Sequence, residues 1–308
     1  HGRSLAQGCD QNPCPSCVLN VLSGPMYRYV TLKSVDRPDV RPQDVRAIFV
    51  VSHMTIPFSK WQGTGNDFIV IDDRAGTFSM IDEPIVRRLC DRHFGIGSDG
   101  LIVVRSPKLD GTAFHMEFLN PDGSRSFCGN GSRCAFAFWR QLQEVPCPVG
   151  MAVLFSAYDG EHRAMTLPDG HVAIAMKRPR DHERESERMD LWNTGSPHVV
   201  LWVDDPERVD VVTEGRKVRN SERYGVAGVN VNFTAMVDGV VHIRTYERGV
   251  EDETLSCGTG VTAAALSARS RGLVSTDEVP ILTRGCELRV DLRDGDGSGE
   301  VLLCGPAV

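Results

Sequence analysis

The sequence predicts an α+β protein built from two like halves, and three observations carry that reading. Short β-rich runs, helix-period segments and turn signals alternate from Met54 onward. The cysteine turn in "SFCGNGSRCAFAF" (126–138) recurs in "LSCGTGVTAAALS" (255–267). Cys128 and Cys257 lie 129 positions apart, about half of the region after Met54, too long a period for a solenoid repeat.

"TIPFSKWQ" and "NDFIVIDD" are short β-rich runs separated by the turn signal "GTG". In "PIVRRLCDRH", Ile85, Val86, Leu89 and Cys90 fall on one helical face. "GLIVVR" and "AFHMEFLN" read as strands. A helix is expected after Cys128, packed closely by Ala135, Phe136, Ala137 and Phe138, with strands following at "MAVLFSA", "RAMTLP" and "HVAIAM". The charge-dense run "KRPRDHERESERMD" (177–190) breaks this rhythm and reads as a solvated connection. The second half repeats the theme. It opens with "SPHVVLWVDD" and continues with strands at "VNVNFTAMV" and "VVHIRTYE", the cysteine turn and a small-residue helix. "CELRVDL" and "GEVLLCG" close it as strands.

Residues 1–53 have another texture. "CDQNPCPSC" is turn-rich and "SVDRPDVRPQDVR" reads as polar coil, so this extension is expected to be disordered or adventitious. Cys14 and Cys17 form a CxxC with Cys9 upstream. A zinc site needs about four ligands and no second pair follows, so no metal is expected.

The 308 residues suffice for two domains, and 41% hydrophobic with 24% charged residues suits a soluble globular chain. A net charge of −7 argues against a nucleic-acid partner. No apolar run reaches the roughly 18–20 residues a bilayer requires, so no membrane partner is expected. The ten cysteines are scattered, and no apolar h-region opens the chain; a reduced, cytoplasmic setting is the expectation.

A cysteine at a helix N-terminus sits where free N–H groups and the helix dipole favour negative charge, which predicts a lowered thiol pKa. The flanking glycines let a ligand approach the backbone, and the exposed N–H groups suit a carboxylate. A single such cysteine is most simply a small core residue, the reading applied to Cys90, Cys134, Cys147, Cys286 and Cys304. Two in matched contexts are a stronger signal. If the halves pack about a pseudo-dyad, the two helix starts face each other across one cleft. Facing thiols can oxidise, bind metal, or move protons on opposite faces of one carbon. Neither "GTGND" nor "FGIGSDG" is a nucleotide-binding loop, so no cofactor is expected.

Five ordered blocks, "KWQGTGNDFIVID", "DRHFGIGSDG", "NPDGSRSFCGNGSRC", "TGSPHVV" and "YERGVEDETLSCGTGVTAA", resemble the signature blocks of the diaminopimelate epimerase family. The resemblance runs from Phe58 to about Pro306. It implies two pseudo-symmetric domains, each a curled mixed β-sheet around a central helix. The expected bounds are 54–168, completed by the last strand at about 300–308, and 169–299. It implies cofactor-independent interconversion of LL- and meso-diaminopimelate, in lysine and peptidoglycan-precursor synthesis, and a homodimer. Cys128 and Cys257 resemble the two acid/base thiols, and His198 and Glu247 the groups that tune them. Asn66, Gly129, Asn130, Gly258 and Thr259 match positions that hold the proximal carboxylate and amine. Asn120, Asn230, Glu247 and Arg248 match those that grip the distal amino-acid head.

The chain departs from the family pattern at Ser196, where the family often has asparagine, and at Gly100, where many members have glutamine. A further strand usual after "GPA" is missing, which would leave a sheet edge exposed. Three rival readings remain. One is a proline or hydroxyproline racemase of the same fold. Another is a cysteine hydrolase using Cys257, His198 and Asn230, in which Cys128 is dispensable. The last is a binding protein without turnover.

Overall fold

The computed structural model describes residues 20–23, 28–35, 51–78, 81–177, 179, 182–293 and 300–308. The hairpin β1 (Asn20–Ser23) and β2 (Arg28–Val35) pairs antiparallel, and β2 continues onto the first part of β3 (Val51–Gly63). These two strands fall within the extension 1–53, most of which lies outside the described residues. Cys9, Cys14 and Cys17 lie outside the described residues.

The first half continues with β4 (Asn66–Asp73), α1 (Glu83–Cys90), β5 (Gly100–Arg105) and β6 (His115–Leu119). Then come α2 (Gly129–Gln141), β7 (Val153–Ala157), β8 (Gly160–Thr166) and β9 (Val172–Lys177). The second opens with β10 (Glu183–Ser186) and β11 (Met189–Asn193), followed by β12 (Pro197–Trp202), α3 (Val211–Arg219), β13 (Asn230–Val237), β14 (Val240–Glu247) and β15 (Asp252–Thr254). It ends with α4 (Gly258–Ser270), β16 (Glu278–Leu282), β17 (Glu287–Asp291) and β18 (Glu300–Gly305).

Pairing shows the duplication directly. From β3 to β9 successive neighbours pair antiparallel, parallel, antiparallel, parallel, antiparallel and antiparallel. The same order recurs through β11, β12, β13, β14, β16, β17 and β18. The last strands of the two repeats pair with each other, Val172 opposite Gly305 and Lys177 opposite Glu300. Pairing order thus groups β9 with the first half, beyond the expected boundary at 168. Because β18 is flanked by β9 and β17, and Val308 exchanges backbone bonds of 2.6 and 3.1 Å with Gln62, this end of the sheet is covered and not exposed.

Each half wraps one central helix: α2 packs on β3, β4, β5, β6 and β9, and α4 on β11 to β14 and β16 to β18. A helix enclosed on nearly every side has no room for an ordinary polar face. Its sequence shows this in α4, where Val261, Ala263, Ala264, Ala265 and Ala268 are all fully buried. Helix α1 lies outside and is amphipathic as expected, with Val86, Leu89 and Cys90 buried and Ile85 half-buried. Asp82 caps it through the Ile85 N–H at 3.1 Å.

The run 177–190 is more than a solvated connection. It contains β10 and the start of β11, and Asp190 is fully buried in a bidentate pair with Arg271 at 2.5 and 2.9 Å. Glu185 pairs with Arg223 and accepts from the Tyr224 hydroxyl. Two of its charges, on Glu185 and Asp190, are buried against partners supplied from 223–224 and 271, while His182, Glu183, Arg184, Glu187 and Arg188 are exposed as expected. Gly100 is also explained locally, since a β-carbon there would collide with the Phe118 ring and lie 3.1 Å from the Leu119 carbonyl oxygen. Glutamine does not fit this position without moving β6.

Candidate active site

Cys128 and Cys257 are the N-caps of α2 and α4, in nearly the same extended backbone conformation (φ −131°, ψ 111° and φ −119°, ψ 110°). The Cys128 Sγ accepts the Gly131 N–H at 3.3 Å. The Cys257 Sγ makes no such cap and lies 3.4 Å from Thr259 Oγ1. The helix starts meet. A β-carbon on Gly258 would lie 3.7 Å from Gly129 Cα and 2.9 Å from Leu303, and one on Gly129 would lie 3.9 Å from Gly258 Cα. A side chain at 258 would crowd Leu303, whereas the space at 129 admits a β-carbon at ordinary contact distance. Asn130 bridges the turns: its Nδ2 donates to Asn66 Oδ1 at 2.7 Å and to the Ser256 carbonyl at 3.3 Å. Arg133 Nη2 holds the other end of that amide at 3.0 Å.

His198 is fully buried on β12 beside these turns. Its Nε2 faces Thr259 Oγ1 at 2.8 Å and Ser196 Oγ at 2.9 Å, and its Nδ1 faces Asn232 Nδ2 at 3.2 Å. Burial, and then the charge of Arg248, lower its pKa from 6.5 to about 3, so the ring is neutral. A group whose folded pKa is depressed contributes stability above its unfolded pKa and loses it as pH falls through the folded value. Between pH 6.5 and about 3, His198 is therefore expected to cost about 1.4 kcal/mol per pH unit. Comparing acid-limb urea unfolding of the wild type with His198→Gln checks this: the variant loses one proton's worth of slope.

The thiols behave opposite to the expectation from helix position. Burial, followed for Cys257 by the charge of Glu247, pushes Cys257 up to about 12. Burial likewise pushes Cys128 up to about 11, with Glu247 adding to it and the Gly131 N–H opposing it. Desolvation in the closed seam outweighs the favourable helix ends. Glu247 is itself raised by burial. Both cysteines are free thiols.

A cavity of about 800 Å³ opens at this seam, with Asn120, Asn230, Glu247, Arg248, Cys257 and Thr259 on its wall. Asn120 Nδ2 is anchored to Ser124 Oγ and Ser126 Oγ at 3.0 and 3.1 Å. Asn230 Oδ1 accepts the Arg248 N–H at 2.9 Å, and Arg248 Nη1 donates to the Ala227 carbonyl at 3.1 Å. Ser196 also lines the cavity, and its hydroxyl takes a bond from Asn230 Nδ2 at 3.1 Å. Asn66, Cys128, Gly129, Asn130, His198 and Gly258 are not on the wall; His198 is bonded to Ser196 and Thr259, which are. Part of the lining was not foreseen: Phe127, stacked on His162 at 4.2 Å, and Tyr158, Glu161, Met176 and Glu300. Asn232 was missed too, although "VNVNF" places it two residues from Asn230 on the same strand face.

Among the described residues no group of three or more His, Cys, Asp or Glu is placed to hold a metal, and no helix is long and apolar enough to cross a membrane. The arrangement offers two helix N-termini that meet head to head, each capped by a thiol, with the Cys257 thiol on the cavity wall. Each helix start carries about half an elementary charge and N–H groups without intrahelical acceptors.

The family model described as "Diaminopimelate epimerase" matches residues 58–179 and 191–308. A diaminopimelate epimerase of Flavobacterium psychrophilum is 41% identical over 251 residues, covering 80% of this chain and 95% of that protein. One of Aquifex aeolicus is 40% identical over 268 residues, covering 80% and 93%. Among solved structures, a PhzF-family phenazine biosynthesis protein of Bacillus anthracis has a TM-score of 0.61 at 12% identity, covering 82% and 96%. A hydroxyproline epimerase of Agrobacterium vitis with bound trans-4-hydroxy-L-proline has a TM-score of 0.58 at 17% identity, covering 82% and 89%. These two likenesses speak for the fold alone.

Proposed function

The chain belongs to the diaminopimelate epimerase family, and from that premise we propose how its cleft inverts a carbon. The protein is an isomerase that epimerises diaminopimelate, LL to meso, within lysine biosynthesis. The supporting observation for its chemistry is the head-to-head meeting of two cysteine-capped helices. In our reading the proximal carboxylate of the substrate docks between the helix starts, at Gly129, Asn130, Gly258 and Thr259, where the two positive ends together approach one unit charge. Negative charge spreading into that carboxylate as the α-proton leaves is then stabilised by dipoles already in place.

Cys128 and Cys257 stand on opposite faces of the reacting carbon: one, as thiolate, takes the α-proton while the other, as thiol, delivers one from the far side. Microscopic reversibility exchanges their roles for the other isomer. Burial and Glu247 keep both sulfurs protonated. The substrate's α-ammonium brings a cation beside them, which favours a single thiolate. Asn66 supports this end through Asn130. The distal head, itself a zwitterion, meets Arg248 for its carboxylate and Asn120, Asn230 and Glu247 for its ammonium.

The cavity's size and its second polar end favour this long substrate over proline, which has no second head to bind. Turnover of LL-diaminopimelate with no measurable proline racemisation is expected. Comparable kcat/KM on the two would move the assignment to the racemase reading.

A further inference from the structure

Asn230 and Asn232 alternate on β13, so both stand on the same face of the sheet. Asn230 reaches the cavity, while Asn232 is fully buried beside His198. The orientation of the Asn232 amide is decided by a group that can only accept: its Nδ2 lies 2.9 Å from the Val199 carbonyl oxygen. The second Nδ2 hydrogen then points to His198 Nδ1 at 3.2 Å, and Oδ1 takes the Thr245 hydroxyl at 3.0 Å. A ring nitrogen that accepts carries no proton, so neutral His198 bears its proton on Nε2.

That placement reaches the sulfur. Nε2–H faces the hydroxyl oxygens of Thr259 and Ser196 at 2.8 and 2.9 Å. Asn230 Nδ2 stands 3.4 Å from the same nitrogen, but its two hydrogens have better acceptors in Ser196 Oγ and the Pro197 carbonyl, at 3.1 and 3.2 Å. With Thr259 Oγ1 accepting from His198, its own O–H has two partners, Ser196 Oγ at 3.3 Å and Cys257 Sγ at 3.4 Å. Ser196 Oγ already accepts from Asn230 Nδ2, so its own proton turns to Thr259 Oγ1 and the Thr259 proton is left for the sulfur. In the reversed tautomer a bare Nε2 draws a proton from Thr259 at 2.8 Å or from Ser196 at 2.9 Å, so the Thr259 proton is no longer reserved for the sulfur. Gly260 makes room for the arrangement, because a β-carbon there would overlap Asn232 Oδ1 and lie 3.3 Å from His198 Nδ1. Cys128 needs no such relay, since it has the Gly131 N–H.

We propose that Asn232 is a positioning residue that locks His198 in the Nε2–H tautomer, and that the lock aims the Thr259 hydroxyl proton at Cys257 when that sulfur is the thiolate. The inference rests on the two-thiol reading above.

Nitrogen-15 NMR of the histidine-labelled wild-type protein, with His198 assigned by its loss in His198→Gln, tests the lock without any change at Asn232. The expected spectrum shows Nε2 protonated and Nδ1 bare across pH 5–8. A protonated Nδ1, or an imidazolium, in that range overturns the proposal.

Asn232→Asp supplies only acceptors, so it demands a proton on Nδ1. It should convert the tautomer and lower kcat/KM for diaminopimelate by about 10²–10⁴-fold, the range of general acid–base and wrong-tautomer losses. Asn232→Leu, similar in size without the donor, should lose less. A folded Asn232→Asp protein with unchanged rate, or with a lost rate but an unchanged tautomer, contradicts the proposal. Should the wild type show the expected tautomer yet fail to epimerise diaminopimelate, the parent reading fails while the lock stands.

Discussion

Cys128→Ala and Cys257→Ala are each expected to lower kcat/KM for diaminopimelate by about 10²–10⁴-fold, the usual contribution of one positioned acid or base. Neither change should unfold the protein. Both removed sulfurs sit at helix N-caps whose backbone hydrogen bonds persist: the Ser132 N–H still bonds the carbonyl of residue 128, and the Val261 N–H that of residue 257, each at 2.8 Å. Losing the Gly131 bond at Cys128 costs about 1 kcal/mol, in the usual range for a cap. The losses should not add in the double variant, because the two groups act in one step. Retention of near-normal turnover in Cys128→Ala alone would favour the hydrolase-like arrangement, in which only Cys257 reacts.

Arg133→Met is expected to destabilise the fold by about 3–5 kcal/mol, read as a shift in the urea midpoint at unchanged slope. Arg133 is fully buried in α2. It donates to Thr64 Oγ1, to Asn130 Oδ1 at 3.0 Å and to the Pro306 carbonyl at 3.3 Å. Methionine spares the desolvation of a buried cation, which by itself is a gain. The loss wins because two buried acceptors, on Thr64 and Asn130, lose their donor at about 1–3 kcal/mol each, and the half-buried Pro306 carbonyl loses a third bond. Thr64 also holds a left-handed backbone, φ 58°, which its bond to Arg133 helps to fix. The cation lowers the Cys128 pKa against the stronger effect of burial, so the variant should alkylate more slowly at Cys128. A variant as stable as the wild type would show that these acceptors find other donors.

Much of this was legible in the sequence because it is local. The period-2 and helical patterns placed β4, β5, β13, β14, α1, α2 and α4 where the structure has them. The doubled cysteine turn announced the duplication. Of the site residues that the resemblance implied, Asn120, Asn230, Glu247, Arg248, Cys257 and Thr259 line one cavity while the others stand off its wall. What escaped was non-local. "VVTEGRKVR" is short and mostly polar, so α3 had no clear apolar stripe until Val211 and Gly215 are seen buried against β13 and β14. The charges of 177–190 looked solvated because Arg223 and Arg271 lie far along the chain. The direction of the thiol pKa shifts depended on how tightly the seam closes, a property of packing that no motif encodes. Asn232 had a signal, its spacing from Asn230, but its meaning required the His198 ring beside it.

The central claim is that two separate sulfurs serve one carbon, and isotope partitioning at low conversion tests it most directly. LL-diaminopimelate incubated in D₂O with the wild-type protein should yield meso product deuterated at the inverted carbon, while unreacted substrate keeps its original proton. Each thiol carries a single hydrogen, so the thiol that removed the proton can only return it. Deuterium entering recovered substrate as fast as product would mean one shared base, and would contradict the account.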